Sequence, residues 1–89
     1  MSNRPLSLSH LDSRLKDVMA AILEVPKSSL DGASGIDNVE TWDSLHHMSL
    51  VLALEEEFGI RFPEDEIAQL TSLSALRNAL ATLVPDSAG

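Results

Sequence analysis

The chain has no cysteine and no tyrosine, and its aromatic residues are one tryptophan and two phenylalanines. Without cysteine there is no disulfide framework, no thiolate nucleophile and no thiolate-bound metal, so any reactive thiol has to be borrowed. That absence fits a reducing compartment. With aromatics at 3% and hydrophobic residues at 44%, the core must be aliphatic, which favours packed helices over sheets. No stretch approaches the ~20 apolar residues of a membrane helix. Residues 1–10 carry Arg4 but no apolar run of signal-peptide length, so a soluble, cytoplasmic protein without membrane association is expected. Basic residues are scarce past residue 30: residues 31–66 hold ten acidic side chains against Arg61 alone, and the net charge is −8. Such an acidic pole repels nucleic acid and anionic lipid and steers basic protein partners toward itself; it is equally compatible with a solvated surface that serves solubility alone.

At 89 residues the chain suits one small domain rather than two cores. A single domain over residues 1–89 is expected, with an ordered core over 6–84 and a frayed tail at 85–89. Leu8, Leu11, Leu15, Val18, Met19, Ile22 and Leu23 recur at three- and four-residue steps, predicting a first amphipathic helix that Pro26 ends. Residues 25–41 hold Pro26, Gly32, Gly35, Ser28, Ser29, Ser34 and Asn38 without a sustained period. They read as a long loop, pinned by Leu30, Ile36 and Val39.

Asp43 or Ser44 caps a second helix that runs to about Phe58, where Gly59 and Ile60 supply a left-handed residue and a hydrophobic clasp. Pro63 suits the first position of a short third helix, followed by Glu64, Asp65 and Glu66 at the positive end of its dipole. Thr71 or Ser72 caps a last helix bearing Leu73, Leu76, Leu80 and Leu83, and Pro85 stops it. The expected fold is all-α: an antiparallel four-helix bundle with three longer helices, one short third helix and a long loop between the first two.

A residue every 100° around the second helix sets Leu50, Val51, Leu54 and Phe58 on one side and Leu45, Met48 and Leu52 on roughly the opposite one. The first stripe is the core candidate. The second is an exposed strip flanked by Glu55 and Glu56, suited to docking basic partners through apolar contact and charge; Met48 adds adaptability. A central helix buried on both faces is the other reading, at the cost of burying Glu55, Glu56 and Glu57.

The junction Thr41-Trp42-Asp43-Ser44-Leu45, set between a long loop and a helix ending Leu54-Glu55-Glu56-Glu57-Phe58-Gly59, resembles that of the acyl carrier protein family. The likeness extends over most of the chain: first helix, long loop, Asp-Ser-Leu junction, Glu-Glu-Phe-Gly ending, short helix after Phe62-Pro63, and a last helix of leucines. It implies a stand-alone carrier in which Ser44 is an attachment point and not a catalyst. A phosphopantetheinyl transferase would esterify it with 4′-phosphopantetheine from coenzyme A, making the chain a phosphoprotein. The arm then carries acyl or aminoacyl groups as thioesters between a loading ligase and downstream synthases or transferases of fatty-acid, polyketide or specialised metabolism. The resemblance assigns Asp43 to presenting the serine and a magnesium ion to the transferase. It assigns Leu45, Met48, Leu52, Glu55 and Glu56 to partner contact, and Leu54, Phe62, Ile67 and Leu70 to the walls around a cargo between the second and third helices, although each of these four is also an ordinary core candidate. Unpaired N–H groups at a helix start also stabilise a phosphate, although a serine there is ordinarily just a cap.

Many fatty-acid carriers place acidic residues just after this junction, where this chain has His46, His47 and Ser49. Trp42 before Asp-Ser is similar to carriers of specialised pathways, including those loaded with amino acids. The histidines are expected to be solvent-facing or partly packed, without a special role; a pH-sensitive docking surface is the alternative. Adjacent histidines point about 100° apart on a helix and make a poor metal pair. An EF-hand fails because Trp42 occupies the glycine position of the window from Asp37. A hydrolase using Ser44 and His47 lacks a nucleophile-elbow pattern. The expectation is thus a monomeric carrier with no catalytic residue and no metal of its own, the alternative being an unmodified helical docking module of the same fold.

Overall fold

A computed structural model describes residues 8–83. Among them are four α-helices and no strand: α1 (Leu8–Leu23), α2 (Ser44–Phe58), α3 (Glu64–Ile67) and α4 (Leu73–Leu83). A single 3₁₀ turn (Lys27–Ser29) lies in the α1–α2 connection. The side chains of Leu8 and Ser9, the expected stop at Pro85 and the tail at 85–89 lie outside the described residues, as does the segment that carries Arg4.

The leucine periodicity translates directly into packing. Leu11, Leu15, Met19 and Leu23 of α1 meet Leu50, Val51 and Leu54 of α2 and Leu73, Leu76 and Leu80 of α4 in one buried cluster. Val18 and Ile22 border it half-buried. Phe58, expected on the core stripe, is only partly buried; the guanidinium of Arg14 covers its ring at 4.9 Å and pairs with Glu57 at 2.6 Å. The large aromatic side chains of the interior are instead Phe62 and Trp42.

Helix ends follow local chemistry, with two departures from the sequence reading. α1 stops at Leu23, ahead of Pro26, because Glu24 takes a left-handed conformation (φ 59°). The N–H of Val25 then reaches back to the carbonyl of Ala20, a closure usually built on glycine. Pro63 is not the first helical residue but the extended one before it (ψ 134°). The acidic first turn of α3 follows as expected, with Glu64, Asp65 and Glu66. At the end of α2, Gly59 is left-handed (φ 65°), and its N–H and that of Ile60 both return to Glu55 O. Of the two candidate caps of α4, it is Ser72 whose hydroxyl accepts from Ala75 N–H at 3.1 Å.

The long connection is ordered by a few anchors. Leu30 is buried, and Ile36 and Val39 pack against the core, as the sequence suggests. Two backbone hydrogen bonds also hold it to the start of α4: Ile36 N–H donates to Thr71 O and Leu73 N–H donates to Ser34 O, each at 2.9 Å. A side chain at Gly35 would meet Thr71 O at 3.0 Å, so glycine is what lets the two backbones approach. The loop is thereby delivered to Trp42, directly ahead of α2.

Candidate functional site

The start of α2 is built by Asp43. Its backbone is extended, its Oδ1 accepts from His46 N–H at 2.9 Å, and its carbonyl accepts from His47 N–H at 2.8 Å. The side chain thus satisfies one of the four N–H groups that a helix start leaves without intrahelical partners, and the carbonyl accepts the first intrahelical bond. The ring of His46 adds a contact from Nδ1 to the same carboxylate oxygen at 2.8 Å. The His46 backbone N–H, with the ring second, holds the Asp43 carboxyl below the usual carboxylate value. Asp43 is therefore the cap, and Ser44 is the first helical residue, exposed to solvent.

Around Ser44 the second helix shows its two faces. Leu50, Val51 and Leu54 are at most 1% exposed, whereas Leu45, Met48 and Leu52 are 74%, 46% and 61% exposed. The outward strip begins one residue after Ser44. Glu56 is exposed beside it. Glu55 is half-buried, and its Oε2 accepts from Phe62 N–H at 2.8 Å, so that carboxylate also closes the α2–α3 connection. Arginine and lysine side chains pair with Asp12, Asp17 and Glu57 among the described residues, and the His46 ring meets Asp43. They leave Glu55 and Glu56 of α2 and Glu64, Asp65 and Glu66 of α3 without a cationic partner among the described residues.

An open groove of about 640 Å³ runs between α2 and α3 and is lined by Ile36, Ser44, His47, Met48, Glu64, Ile67, Ala68 and Thr71. Of the four residues expected around a cargo, Ile67 lines it. Leu54, Phe62 and Leu70 lie in the core, at 0%, 1% and 6% exposure, the other reading given for them. An ester on the Ser44 hydroxyl would meet no wall: the residue is exposed and sits on the rim of the groove, at the start of a 15-residue helix. A phosphate is favoured at such a place by the helix dipole.

His47 overturns its expectation. It is buried, and its ring joins Trp42 Nε1–H at 3.0 Å to Ile67 O at 2.8 Å. A signal for its burial was present in the sequence: position 47 stands three, four and seven residues before Leu50, Val51 and Leu54, on their stripe. Its partners could not be read from spacing, since Ile67 offers a backbone carbonyl twenty residues away.

Among the described residues, no helix is long and apolar enough to cross a membrane. Residues 13–80 match the family model described as the phosphopantetheine attachment site. That span runs from α1 into α4 and contains the whole Asp43-Ser44 junction, the exposed strip and the groove. Proteins of this family are carriers that bear 4′-phosphopantetheine covalently and interact with a phosphopantetheinyl transferase and partner enzymes. The chain belongs to the phosphopantetheine-attachment family, in agreement with its resemblance to the acyl carrier proteins, and is a phosphopantetheine-carrying protein.

Proposed function

We propose that Ser44 is the residue that bears the arm, and that the chain presents acyl or aminoacyl thioesters to partner enzymes without performing chemistry of its own. The observation that carries this reading is an exposed serine at the first position of a long helix, inside the span matched by the family model. In the transfer, Ser44 Oγ forms the bond to phosphorus, the bond from that phosphorus to the nucleotide part of coenzyme A breaks, and the hydroxyl proton leaves to a base of the transferase. Asp43 keeps the helix start in place and has a second carboxylate oxygen, Oδ2, to offer a magnesium ion carried by the transferase. Once attached, the arm supplies the thiol that the cysteine-free chain lacks.

Partner contact falls to Leu45, Met48 and Leu52, with Glu55 and Glu56 at the rim, Glu56 being the more exposed. Apolar area gives such an interface its affinity, and the acidic rim steers basic enzymes to it. A loading ligase that charges the arm and a synthase or transferase that unloads it are the partners this requires, in fatty-acid, polyketide or specialised metabolism. The reading is of a cytoplasmic monomer in which the strip stays free until an enzyme covers it.

The test is the intact mass after incubation with coenzyme A, magnesium and a broad-specificity phosphopantetheinyl transferase. One arm should be gained by the protein and none by Ser44→Ala. No gain, with the transferase active on a control carrier, would leave an unmodified docking module of the same fold as the correct reading.

A further inference from the structure

One lining residue of the α2–α3 groove, His47, is part of a buried polar link. Trp42 and His47 are 2% and 7% exposed, and their rings stack with centroids 6.1 Å apart and 25° between planes. Because His47 Nδ1 accepts the indole N–H, the imidazole carries its proton on Nε2 and donates it to Ile67 O. One ring therefore ties the end of the long loop and the first turns of α2 to the last residue of α3. A helix of four residues has little stability of its own, so its place against α2 depends on such ties. Trp42 belongs to one buried cluster with Leu50, Leu54, Phe62 and Leu70, and none of these five lines the groove, whereas His47 does.

We infer that the Trp42–His47–Ile67 link is the floor of the cargo site and a specificity determinant: it confines the load on the Ser44 arm to the groove surface, selecting short acyl or aminoacyl groups over long aliphatic chains. The inference rests on Ser44 bearing the arm. A long chain that entered the core past His47 would displace the two rings. That would leave an indole N–H and a backbone carbonyl unpaired in apolar surroundings, where each is costly. The groove itself suits a small, partly polar load. Ile36, Met48, Ile67 and Ala68 offer contact to a few carbons, while Thr71 and the carboxylate of Glu64 offer partners to a hydroxyl or an ammonium group. Binding sites of this kind pair an apolar wall with a few placed polar groups. His47 acts here as a positioning residue, since it shapes the site through Trp42 and α3.

The experiment transfers acetyl-, hexanoyl- and dodecanoyl-phosphopantetheine from the corresponding acyl-coenzyme A onto the full chain. Thioester cleavage by hydroxylamine is then followed under native conditions, beside methyl NMR shifts of Leu50 and Leu54. The expected result is one cleavage rate for all three lengths and no shift of either methyl set with length. In Trp42→Phe, which keeps a ring but removes the N–H, and in His47→Leu, which removes both hydrogen bonds, dodecanoyl cleavage should become severalfold slower than acetyl cleavage. A merely structural role would move all three lengths together. Should His47→Leu fail to fold, Trp42→Phe carries the comparison. Severalfold protection of the dodecanoyl form in the unsubstituted protein, with shifts at Leu50 and Leu54, would overturn the inference. So would variants that fold and remain indifferent to chain length. Failure to acquire any arm would show in the mass beforehand and would overturn the carrier reading itself.

Discussion

Leu54 and Leu52 stand two residues apart on α2 and have the same side chain, yet one is fully buried and the other 61% exposed. The difference is one of angle, about 200° around the helix, and it separates what holds the fold together from what the protein presents. On the inward side, Leu50, Val51 and Leu54 belong to one buried cluster with the leucines of α1, against which α2 packs, and of α4. On the outward side, Leu45, Met48 and Leu52 lie outside that core and expose apolar surface, the strip proposed for partner contact.

The strongest way to break the comparison is to truncate one leucine on each face. Leu54→Ala should destabilise the fold by about 2–5 kcal/mol through lost burial and an unfilled cavity, read as a lower denaturation midpoint. Replacing Gly59 by alanine should cost about 1–2 kcal/mol, because a side chain must then occupy the left-handed conformation (φ 65°) that ends both faces of α2 at once. Leu52→Ala should shift stability by no more than about 0.5 kcal/mol. With Leu45→Ala, it should nevertheless lower the kcat/KM of the phosphopantetheinyl transferase on this chain while the thermal midpoint stays put. A Leu52→Ala variant that unfolds readily, or a Leu54→Ala variant that melts normally, would erase the distinction between the faces.

The smallest expected effect lies at the other end of the helix. The carboxyl of Asp43 is held below its ordinary value by the N–H and ring of His46, so its contribution is present above the usual carboxylate range and is lost as pH falls through the depressed folded value. Acid titration of the chain and of Asp43→Asn should therefore diverge above that range and converge below it. The gap is expected to be small because the side chain is 61% exposed. Curves that stay parallel throughout would remove Asp43 as the group that secures the Ser44 turn.

Much of this was legible in the sequence because it follows from period and local chemistry. Leucines at three- and four-residue steps mark α1 and α4, the two faces of α2 follow from a helical wheel, and Gly59-Ile60 gives the end of α2. Asp43 and Ser72 were each one of two candidate caps, and geometry chose between them. The misses have a common cause. Glu24 takes a left-handed turn that nothing in its side chain demands, and Pro63 stands one residue outside its helix. In each case tertiary packing decided between locally permitted options. The Trp42–His47–Ile67 link is the sharpest example, since one of its partners is a backbone carbonyl, which has no signature in sequence.

The most direct test of the central claim is to locate the arm. Cleavage after Lys27 and Arg61 releases a peptide with five serines, Ser28, Ser29, Ser34, Ser44 and Ser49, and fragmentation of that peptide from the modified protein resolves which one is esterified. The account predicts the phosphopantetheine mass on Ser44 alone. Its appearance on any of the other four would contradict the assignment of the exposed serine at the head of α2 as the point from which cargo is presented.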